Sequence, residues 1–307
     1  MEQKKIIILL AGPTASGKSK LAIKFAQNFN GEIINTDSMQ IYKEISILSS
    51  RPSEQDTKIV KHHLYGFNSV KKKFSTGDWL ELSLKKIEKL WNENKIPIFV
   101  GGSGLYFKAL VDGLVKIPNI PVKIRAEVRK LHKKIGQESF FLKLAKLDPL
   151  AKKFILSKDS QRSMRAYEVK KFTNKSLFEL IKETKSNFNN NVFKKLFINT
   201  PRELLNVKIE KRVEKMFDDG AVEEVKSFIK MKVYRELSSN KIIGINEIKA
   251  FLQGKLTLDE TKQLVSQKTR QYAKRQFTWS RGHMKSWEKI YSPNINDLYK
   301  KGINKIF

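Results

Sequence analysis

The hydrophobic positions in the first part of the chain form short continuous runs that alternate with segments of helical periodicity. The apolar runs predict buried strands at Ile6–Ala11, Glu32–Asn35 and Ile96–Val100. Apolar residues three and four positions apart predict helices at Leu21–Phe29, about Trp79–Asn92 and Leu105–Asp112. Because strands that alternate with helices join by right-handed crossovers, this part predicts a parallel sheet covered by helices on both faces.

The pattern changes after Val115. Pro118 and Pro121 interrupt the chain, and residues 122–186 show helical periodicity alone. Within that stretch, Ser176-Leu177-Phe178-Glu179 matches the capping box with which helices begin. This part of the chain therefore predicts a separate helical module.

One more strand is predicted after the helical module, at Leu196–Asn199. Pro201 follows at the start of a helix that runs through Phe217 and ends near Asp218–Gly220. The remaining predicted elements are all helices: Val222–Met231, Ile245–Leu252, and a long helix from the capping box at Thr257 to Gly282. The sheet therefore resumes after the helical module.

A complete phosphate-binding loop lies between the first predicted strand and the first helix. The residues are Gly12, Pro13, Thr14, Ala15, Ser16, Gly17, Lys18 and Ser19, which fit the pattern G-x-x-x-x-G-K-[ST]. In such a loop the backbone N–H groups and the helix N-terminus face a phosphate. Lys18 supplies a positive charge, and the Ser19 hydroxyl is placed to hold Mg²⁺. The chain is predicted to bind a di- or triphosphate.

These elements predict an α/β fold: a P-loop parallel sheet core with an inserted all-helical domain and a helical C-terminal region. The predicted domains are residues 1–117 for the first part of the core and residues 118–190 for the insertion. Residues 191–307 complete the core and carry the basic C-terminal helices.

Composition adds an expectation about partners. The 307 residues include 61 Lys and Arg against 31 Asp and Glu, a formal net charge of +30. A charge of this size attracts polyanions, although a Lys-, Ile- and Asn-rich genome would produce it too. The sequence has no cysteine, which excludes disulfides and thiolate metal sites. No apolar run approaches the roughly 20 residues of a membrane span, and we expect a cytoplasmic protein.

Two further predicted strands end in residues suited to chemistry. Thr36-Asp37-Ser38-Met39-Gln40 follows the second strand, at the sheet edge where open α/β sheets bind ligands. Asp37 is a candidate metal partner or general base, or a turn-forming residue. Gly101–Gly104 follows the third strand, where Ser103 offers a hydroxyl and the glycines allow close approach or form a plain turn. The strand does not end in the Asp of a motor ATPase, which disfavours that class.

Two basic clusters are candidate RNA-binding surfaces. Arg162 and Arg165 lie three residues apart, on one face of a helix that starts at Gln161-Arg162-Ser163-Met164-Arg165. On the long helix, Lys274-Arg275-Gln276-Phe277-Thr278-Trp279-Ser280-Arg281 interleaves cations and aromatics, which can hold phosphates and stack bases. Each cluster is equally compatible with a solvated helix face.

Taken together, five segments resemble the bacterial tRNA dimethylallyltransferases in content and order. They are Gly12–Ser19, Asp37–Tyr42, Val100–Tyr106, Gln161–Arg165 and Lys274–Arg281. The resemblance implies transfer of a dimethylallyl group from dimethylallyl diphosphate to the exocyclic amine of the adenosine 3′ of the anticodon. The tRNAs concerned read codons that begin with U. It also implies Mg²⁺, the tRNA anticodon stem-loop as partner, no membrane, and a monomer.

The resemblance assigns roles to residues. Lys18 and Arg212 would contact the diphosphate, Asp37 would accept the proton of the amine, and Ser103 would orient that amine. From sequence alone, Arg212 reads as a surface helix residue. The residues implied to contact tRNA are Asp37, Ser38, Met39, Gln40, Ser103, Arg125, Gln161–Arg165 and Lys274–Arg281. The chain departs from the family pattern at Leu48-Ser49-Ser50 and at Ile245-Asn246.

Two other functions compete with this interpretation. A small-molecule or nucleoside kinase would hold ATP on the same loop and use Asp37 to deprotonate a hydroxyl, without needing the basic helix. A non-catalytic or ATP-gated RNA-binding protein would rely on the net charge of +30 and the basic C-terminal helix, and Asp37→Ala would leave its function intact.

Overall fold

A computed structural model describes residues 5–306. Residues 1–4 of the first predicted domain and residue 307 of the last lie outside the described residues. The chain forms two compact units: one comprises the residues up to Val111 together with those from Phe188 onward, and the other is Asp112–Asn187. The predicted domain bounds at 118 and 190 stay a prediction.

The first unit is built on a parallel six-stranded sheet. Its strands are β1 (Ile7–Ala11), β2 (Gly31–Asn35), β3 (His62–His63), β4 (Ile96–Gly101), β5 (Phe193–Ile198) and β6 (Glu288–Ile290). The strand order is β3-β2-β4-β1-β5-β6, and every pairing is parallel. The predicted α/β class is confirmed. The expectation that only helices follow residue 199 is wrong, because three-residue β6 is too short and too polar to show an apolar run.

Four strands overlap the four predicted apolar runs, and β5 begins three residues before the predicted Leu196. In the register, Leu10 of β1 lies between Val100 of β4 and Leu196 of β5, and all three side chains are buried. Burial on both faces explains why these central strands are continuous apolar runs and not alternating ones. The polar two-residue strand β3 gave no such signal, because it lies at the sheet edge.

Thirteen α-helices lie among the described residues. They are α1 (Lys18–Asn28), α2 (Glu54–Ile59), α3 (Thr76–Asn92), α4 (Gly104–Asp112), α5 (Val122–Leu147), α6 (Ala151–Phe154), α7 (Ser160–Thr173), α8 (Leu177–Lys182), α9 (Arg202–Asp218), α10 (Ala221–Lys230), α11 (Ile245–Leu252), α12 (Leu258–His283) and α13 (Ile295–Ile306). The predicted capping boxes are confirmed at Ser176 and Thr257. No helix of the described part is both long and apolar enough to cross a membrane.

Helices α9 and α12 pack together beside the sheet. Their shared core contains Leu205, Ile209 and Val213 of α9 with Val265 and Ala273 of α12, all buried. Ala15 of the phosphate-binding loop and Phe277 pack against the same cluster. This apolar contact holds one face of each helix next to the loop.

The second unit contains helices only, α5 to α8. Its core joins Leu144, Ala151, Ala166 and Phe178. The buried carboxylate of Asp148 accepts a hydrogen bond of 2.8 Å from the hydroxyl of Ser176, the residue that caps α8. The buried polar group is thus paired inside the unit, as its burial requires.

Candidate active site

The phosphate-binding loop connects β1 to α1 through a strained turn. Ala15 and Gly17 have positive φ angles of 62° and 90°. Gly12 lies so close to β5 that an added Cβ would be 3.3 Å from the Cβ of Ile198. The buried hydroxyl of Ser16 has no hydrogen-bond partner in the described structure. The loop therefore carries an unused donor beside its backbone N–H groups, as a phosphate site needs.

Lys18 lies inside this loop with its charge partly withdrawn from water. Its ammonium donates a hydrogen bond of 3.1 Å to the carbonyl of Pro13. Burial lowers the pKa of Lys18 to about 8, while nearby Asp37 raises it and Arg212 lowers it further. Because an anion in the loop would favour the charged form, a bound phosphate should raise the pKa of Lys18 again.

Arg212 reaches the same loop from α9. Its guanidinium donates a hydrogen bond of 2.9 Å to the hydroxyl of Thr14, and its buried Nε has no partner in the described structure. Burial lowers the pKa of Arg212, and the carboxylate of Asp37 opposes that shift. The interpretation of Arg212 as a surface residue is wrong. It lies three residues after Ile209 and one before Val213, which places it on the buried stripe of α9.

Asp37 follows β2 and is held by its neighbours. Its backbone N–H donates to the side-chain oxygen of Asn35 at 2.8 Å, and its Oδ1 accepts from the N–H of Met39 at 2.9 Å. Burial lowers the pKa of Lys18 and the negative charge of Asp37 partly offsets that shift. Burial raises the pKa of Tyr272 and the charge of Asp37 raises it further. The carboxylate therefore lies between the phosphate-binding loop and α12.

Ser103 lies against the segment that follows β2. Its hydroxyl accepts a hydrogen bond of 2.9 Å from the N–H of Ser38, and its own N–H donates to the carbonyl of Thr36 at 3.0 Å. A Cβ on Gly101 would lie 2.0 Å from that carbonyl oxygen, so this close approach requires glycine. The ends of β2 and β4 are thereby brought together, as the sequence predicted for a sheet edge.

Helix α12 contributes two residues to the site. Gln276 is predicted from the sequence only as an RNA-binding residue, and Tyr272 is not predicted at all. Gln276 accepts a hydrogen bond from the N–H of Thr14 at 2.9 Å and donates to the carbonyl of Gly102 at 3.1 Å. Burial raises the pKa of Tyr272 and the charge of Asp37 raises it further, whereas hydrogen bonding with the side chains of Ser103 and Gln276 lowers it. Tyr272 lies four residues before Gln276, and that helical spacing was the available signal.

Two cavities adjoin these groups and share Met39, Tyr272 and Arg275. The first has a volume of about 220 Å³, and the side chains of Asp37, Thr14 and Arg212 line it. Its remaining walls are mostly apolar: Leu48, Val213, Met216, Ile242, Ile243 and Val265. The second has a volume of about 380 Å³ and is lined by Ser103 and by the aromatic residues Tyr42, Phe74, Tyr106 and Trp279. We call them the donor cavity and the acceptor cavity, after the roles that are proposed for them below.

The predicted RNA-binding residues of the first unit separate into different surroundings. Arg275, Gln276 and Trp279 line the acceptor cavity, together with Ser38 and Met39. Lys274, Phe277, Ser280 and Arg281 line a different cavity, and Thr278 is exposed. The amide of Gln40 donates to the carbonyls of Ser49 and Ser50 at 2.9 and 2.8 Å, so that nitrogen is already engaged.

The other predicted RNA-binding residues belong to the second unit. Gln161 and Arg162 are exposed at the start of α7, whereas Ser163 is buried and donates to the carbonyl of Asp159 at 2.7 Å. Met164 is half-buried. Arg165 lies 3.6 Å from Glu168, and Arg125 has a buried Nε without a hydrogen-bond partner in the described structure.

The residues that could hold a metal ion are few. No group of three or more His, Asp or Glu side chains suited to a metal occurs among residues 5–306. The Ser19 hydroxyl is exposed in the first turn of α1, next to the phosphate-binding loop. A single hydroxyl next to a phosphate site fits Mg²⁺, which usually takes one or two protein ligands together with phosphate oxygens and water.

Known proteins are similar to this chain in sequence. The chain is 52% identical over 301 residues to a tRNA dimethylallyltransferase of Pelagibacter ubique, covering 98% of this chain and 96% of that protein. It is 44% identical over 287 residues to a tRNA dimethylallyltransferase of Rickettsia canadensis, covering 92% and 87%.

Two solved structures are also similar. The full-length tRNA isopentenylpyrophosphate transferase of Bacillus halodurans has a TM-score of 0.70 at 27% identity and covers 99% of this chain and 97% of its own. A eukaryotic dimethylallyltransferase acting on tRNA has a TM-score of 0.77 at 29% identity, covering 90% and 70%. Residues 40–283 match the model of the family described as IPP transferase, and the chain belongs to that family.

Proposed function

We propose that this chain transfers a dimethylallyl group from dimethylallyl diphosphate to the exocyclic amine of an adenosine in tRNA. The products are N6-isopentenyladenosine and diphosphate. The target is the adenosine 3′ of the anticodon in tRNAs that read codons beginning with U. One observation carries the proposal: Asp37 lines an apolar cavity that ends at a phosphate-binding loop, and an aromatic cavity adjoins it at Met39, Tyr272 and Arg275.

The phosphate-binding loop holds the diphosphate of the donor in this proposal. Loop N–H groups, the free Ser16 hydroxyl, Lys18 and Arg212 all lie where negative charge develops as the C–O bond to the leaving group breaks. Donors fixed in advance around a leaving group lower the barrier, because they need no reorganisation during the reaction. Arg212 is already positioned by Thr14, and its Nε is free to bind a further oxygen.

Magnesium would be held by Ser19 together with oxygens of the diphosphate. A bound Mg²⁺ neutralises charge on a diphosphate leaving group. Ser19 is exposed in the first turn of α1, where a cation can approach from solvent.

The donor cavity accommodates the hydrocarbon of the donor. Its apolar walls exclude water from the allylic carbon, which develops positive charge as its diphosphate departs. Leu48 forms part of this wall from a loop that Glu224 holds: the Glu224 carboxylate accepts from the N–H groups of Ser46, Ile47 and Leu48 at 2.6, 2.8 and 3.0 Å.

The acceptor cavity takes the adenine. An adenine must leave its stack to enter a protein cavity, and aromatic walls replace part of the lost stacking. The new bond joins the amine nitrogen to the first carbon of the dimethylallyl group, while the carbon–oxygen bond to diphosphate breaks. Asp37 accepts the proton that the amine loses, and Ser103 orients the amine, next to Tyr272. Gln40 retains its side-chain oxygen for the base.

The tRNA-binding surface in this proposal is the anticodon stem-loop contact. It uses Ser38, Met39, Arg125, Gln161–Arg165 and Lys274–Arg281. With this substrate, a cytoplasmic location is part of the proposal. The enzyme acts as a monomer in this proposal.

The test is incubation of the purified protein with labelled dimethylallyl diphosphate, Mg²⁺ and unmodified tRNA, followed by nucleoside analysis. We expect the label in N6-isopentenyladenosine at a single position of the tRNA. Transfer of phosphate from ATP to a small acceptor, with no label in RNA, would instead establish a kinase. RNA binding without transfer of either group would instead establish an RNA-binding protein.

A further inference from the structure

A third cavity lies on the side of α12 that does not face the acceptor cavity. Its volume of about 840 Å³ exceeds that of the donor and acceptor cavities, and the end of β5, the start of α9 and the second half of α12 form its walls. Five of its lining residues are basic and none is acidic: Arg202, Arg270, Lys274, Arg281 and Lys289. We call it the basic cavity.

The cations of the basic cavity are largely unpaired. Arg270 forms an ion pair of 3.0 Å with Glu210. The other four have no carboxylate within 4.0 Å among the described residues. The acidic residues adjacent in sequence do not neutralise these cations. Glu288, next to Lys289, forms an ion pair of 3.2 Å with Lys305. Glu203, next to Arg202, is exposed and does not line the cavity. The field in the cavity is therefore positive.

The N-terminus of α9 opens on the same cavity. The capping residue is Pro201, which supplies no side-chain hydrogen bond to the free N–H groups of the first turn. Because those groups lack intrahelical partners, a 17-residue helix such as α9 presents a partial positive charge at this end.

Thr200 provides an independent indication of a ligand. The residue lines the cavity and is only 2% exposed, and its buried Oγ1 has no hydrogen-bond partner in the described structure. Most buried hydroxyls in proteins are paired, and an unpaired one calls for a partner that the protein itself does not supply. A phosphate oxygen next to the uncapped helix end would be such a partner.

We propose that Thr200, the N-terminus of α9, Arg202 and Lys289 form a second phosphate-binding site, separate from Gly12–Ser19, which takes a backbone phosphate of the RNA substrate. This rests on the proposed function for the identity of the RNA. A phosphodiester is favoured over a free anion because Lys274 and Arg281 of the proposed tRNA-binding segment line the same cavity. With this site, the RNA would contact α12 on two sides: in the acceptor cavity and in the basic cavity.

The first experiment compares Thr200→Val with Thr200→Ser. Valine has nearly the same shape and removes only the unpaired hydroxyl, so the free protein should remain folded and as stable as the original. The measurement is direct binding of unmodified tRNA, followed by fluorescence anisotropy. We expect Thr200→Val to weaken binding several-fold and Thr200→Ser to retain it. Equal tRNA affinity of both variants and the original would overturn the role of this hydroxyl.

The second experiment measures the salt dependence of the same binding. Arg202→Gln and Lys289→Gln should each reduce the slope of log K against log salt by about 0.7–0.9, the values for one lost phosphate contact in single-stranded and duplex nucleic acid. The matched control is Lys230→Gln, an exposed residue of α10 outside the cavity, which should leave the slope unchanged. Slopes equal to that of the control would overturn the RNA site.

A free anion is distinguished by binding of inorganic diphosphate to a Lys18→Ala protein, in which the first phosphate site is weakened. Weakening of this binding by Thr200→Val, with unchanged tRNA affinity, would mean that the cavity takes a free diphosphate and not RNA. Because RNA binding is measured directly, failure of prenyl transfer in the original protein would overturn the proposed function and leave this result standing.

Discussion

The side-chain oxygen of Gln276 accepts a hydrogen bond of 2.9 Å from the backbone N–H of Thr14. The two residues are 262 positions apart in sequence. The same amide donates to the carbonyl of Gly102, so a single side chain joins the phosphate-binding loop, the glycine turn after β4 and helix α12. An added Cβ on Gly102 would lie 2.0 Å from the Gln276 nitrogen, and the glycine is therefore required for this contact.

Replacing Gln276 should loosen the phosphate-binding loop. Gln276→Leu leaves the Thr14 N–H and the Gly102 carbonyl without partners, and we expect the free energy of unfolding to fall by about 1–3 kcal/mol. Diphosphate affinity should fall too, because the loop loses its outer support. Chemical denaturation and calorimetric titration measure the two effects. Gln263→Leu, on an exposed position of α12, is the control. Equal losses in both variants would show that the bond to Thr14 is unimportant.

Asp37 is expected to act in the chemical step and not in RNA binding. Asp37→Asn keeps an oxygen for the N–H of Met39 but removes the proton acceptor. General bases contribute roughly 10²–10⁴-fold to rates, and we expect a fall of that size in kcat with an unchanged Kd for tRNA. Single-turnover transfer and anisotropy measure the two quantities. Near-normal turnover of Asp37→Asn would refute the assignment of the base.

The local features of this site could be predicted from sequence, and the long-range ones could not. Gly12–Ser19 is contiguous, so its spacing alone defines the loop, and Asp37 and Ser103 follow strands whose ends meet in any parallel sheet. Tyr272 and Arg212 come from helices that approach the loop only through packing. Their positions depend on which face of α9 meets α12, and an apolar stripe shows that a face is buried but not what covers it.

Lys18 makes diphosphate binding dependent on pH. Its pKa is about 8 in the folded protein, against an ordinary value of 10.5. Diphosphate should raise this pKa again, so binding takes up a proton above pH 8 and weakens as the pH rises. Lys18→Arg stays charged and should lack this component, and the titration of diphosphate itself is common to both proteins. Calorimetry at pH 7 and 9 in buffers of different ionisation enthalpy measures the uptake. Identical proton uptake by the two proteins at pH 9 would contradict the prediction.

The same depressed pKa sets a window for the stability of the ligand-free protein. Below pH 8, Lys18 is protonated in both the folded and the unfolded chain, and its burial then opposes folding fully. Between about 8 and 10.5 the unfolded chain binds more protons at this residue than the folded one, so its contribution to stability rises with pH. Denaturation of the original and Lys18→Met proteins at several pH values isolates the contribution. A difference between them that stays constant from pH 7.5 to 10 would refute it.

Leu48 is expected to limit the length of the donor chain. Leu48 lines the donor cavity. It also packs so closely on the residue that caps α11 that a Cβ on Gly244 would lie 2.6 Å from Leu48 Cδ2. Leu48→Ala should open the cavity and raise transfer from geranyl diphosphate, relative to dimethylallyl diphosphate, by about tenfold or more, since apolar pockets discriminate between chain lengths by roughly that factor per methylene. The ratio of kcat/KM for the two donors is the measurement. Val225→Ala removes a buried side chain from the same apolar cluster without lining the cavity and serves as the control. An equal ratio in both variants would place the limit on chain length elsewhere in the cavity wall.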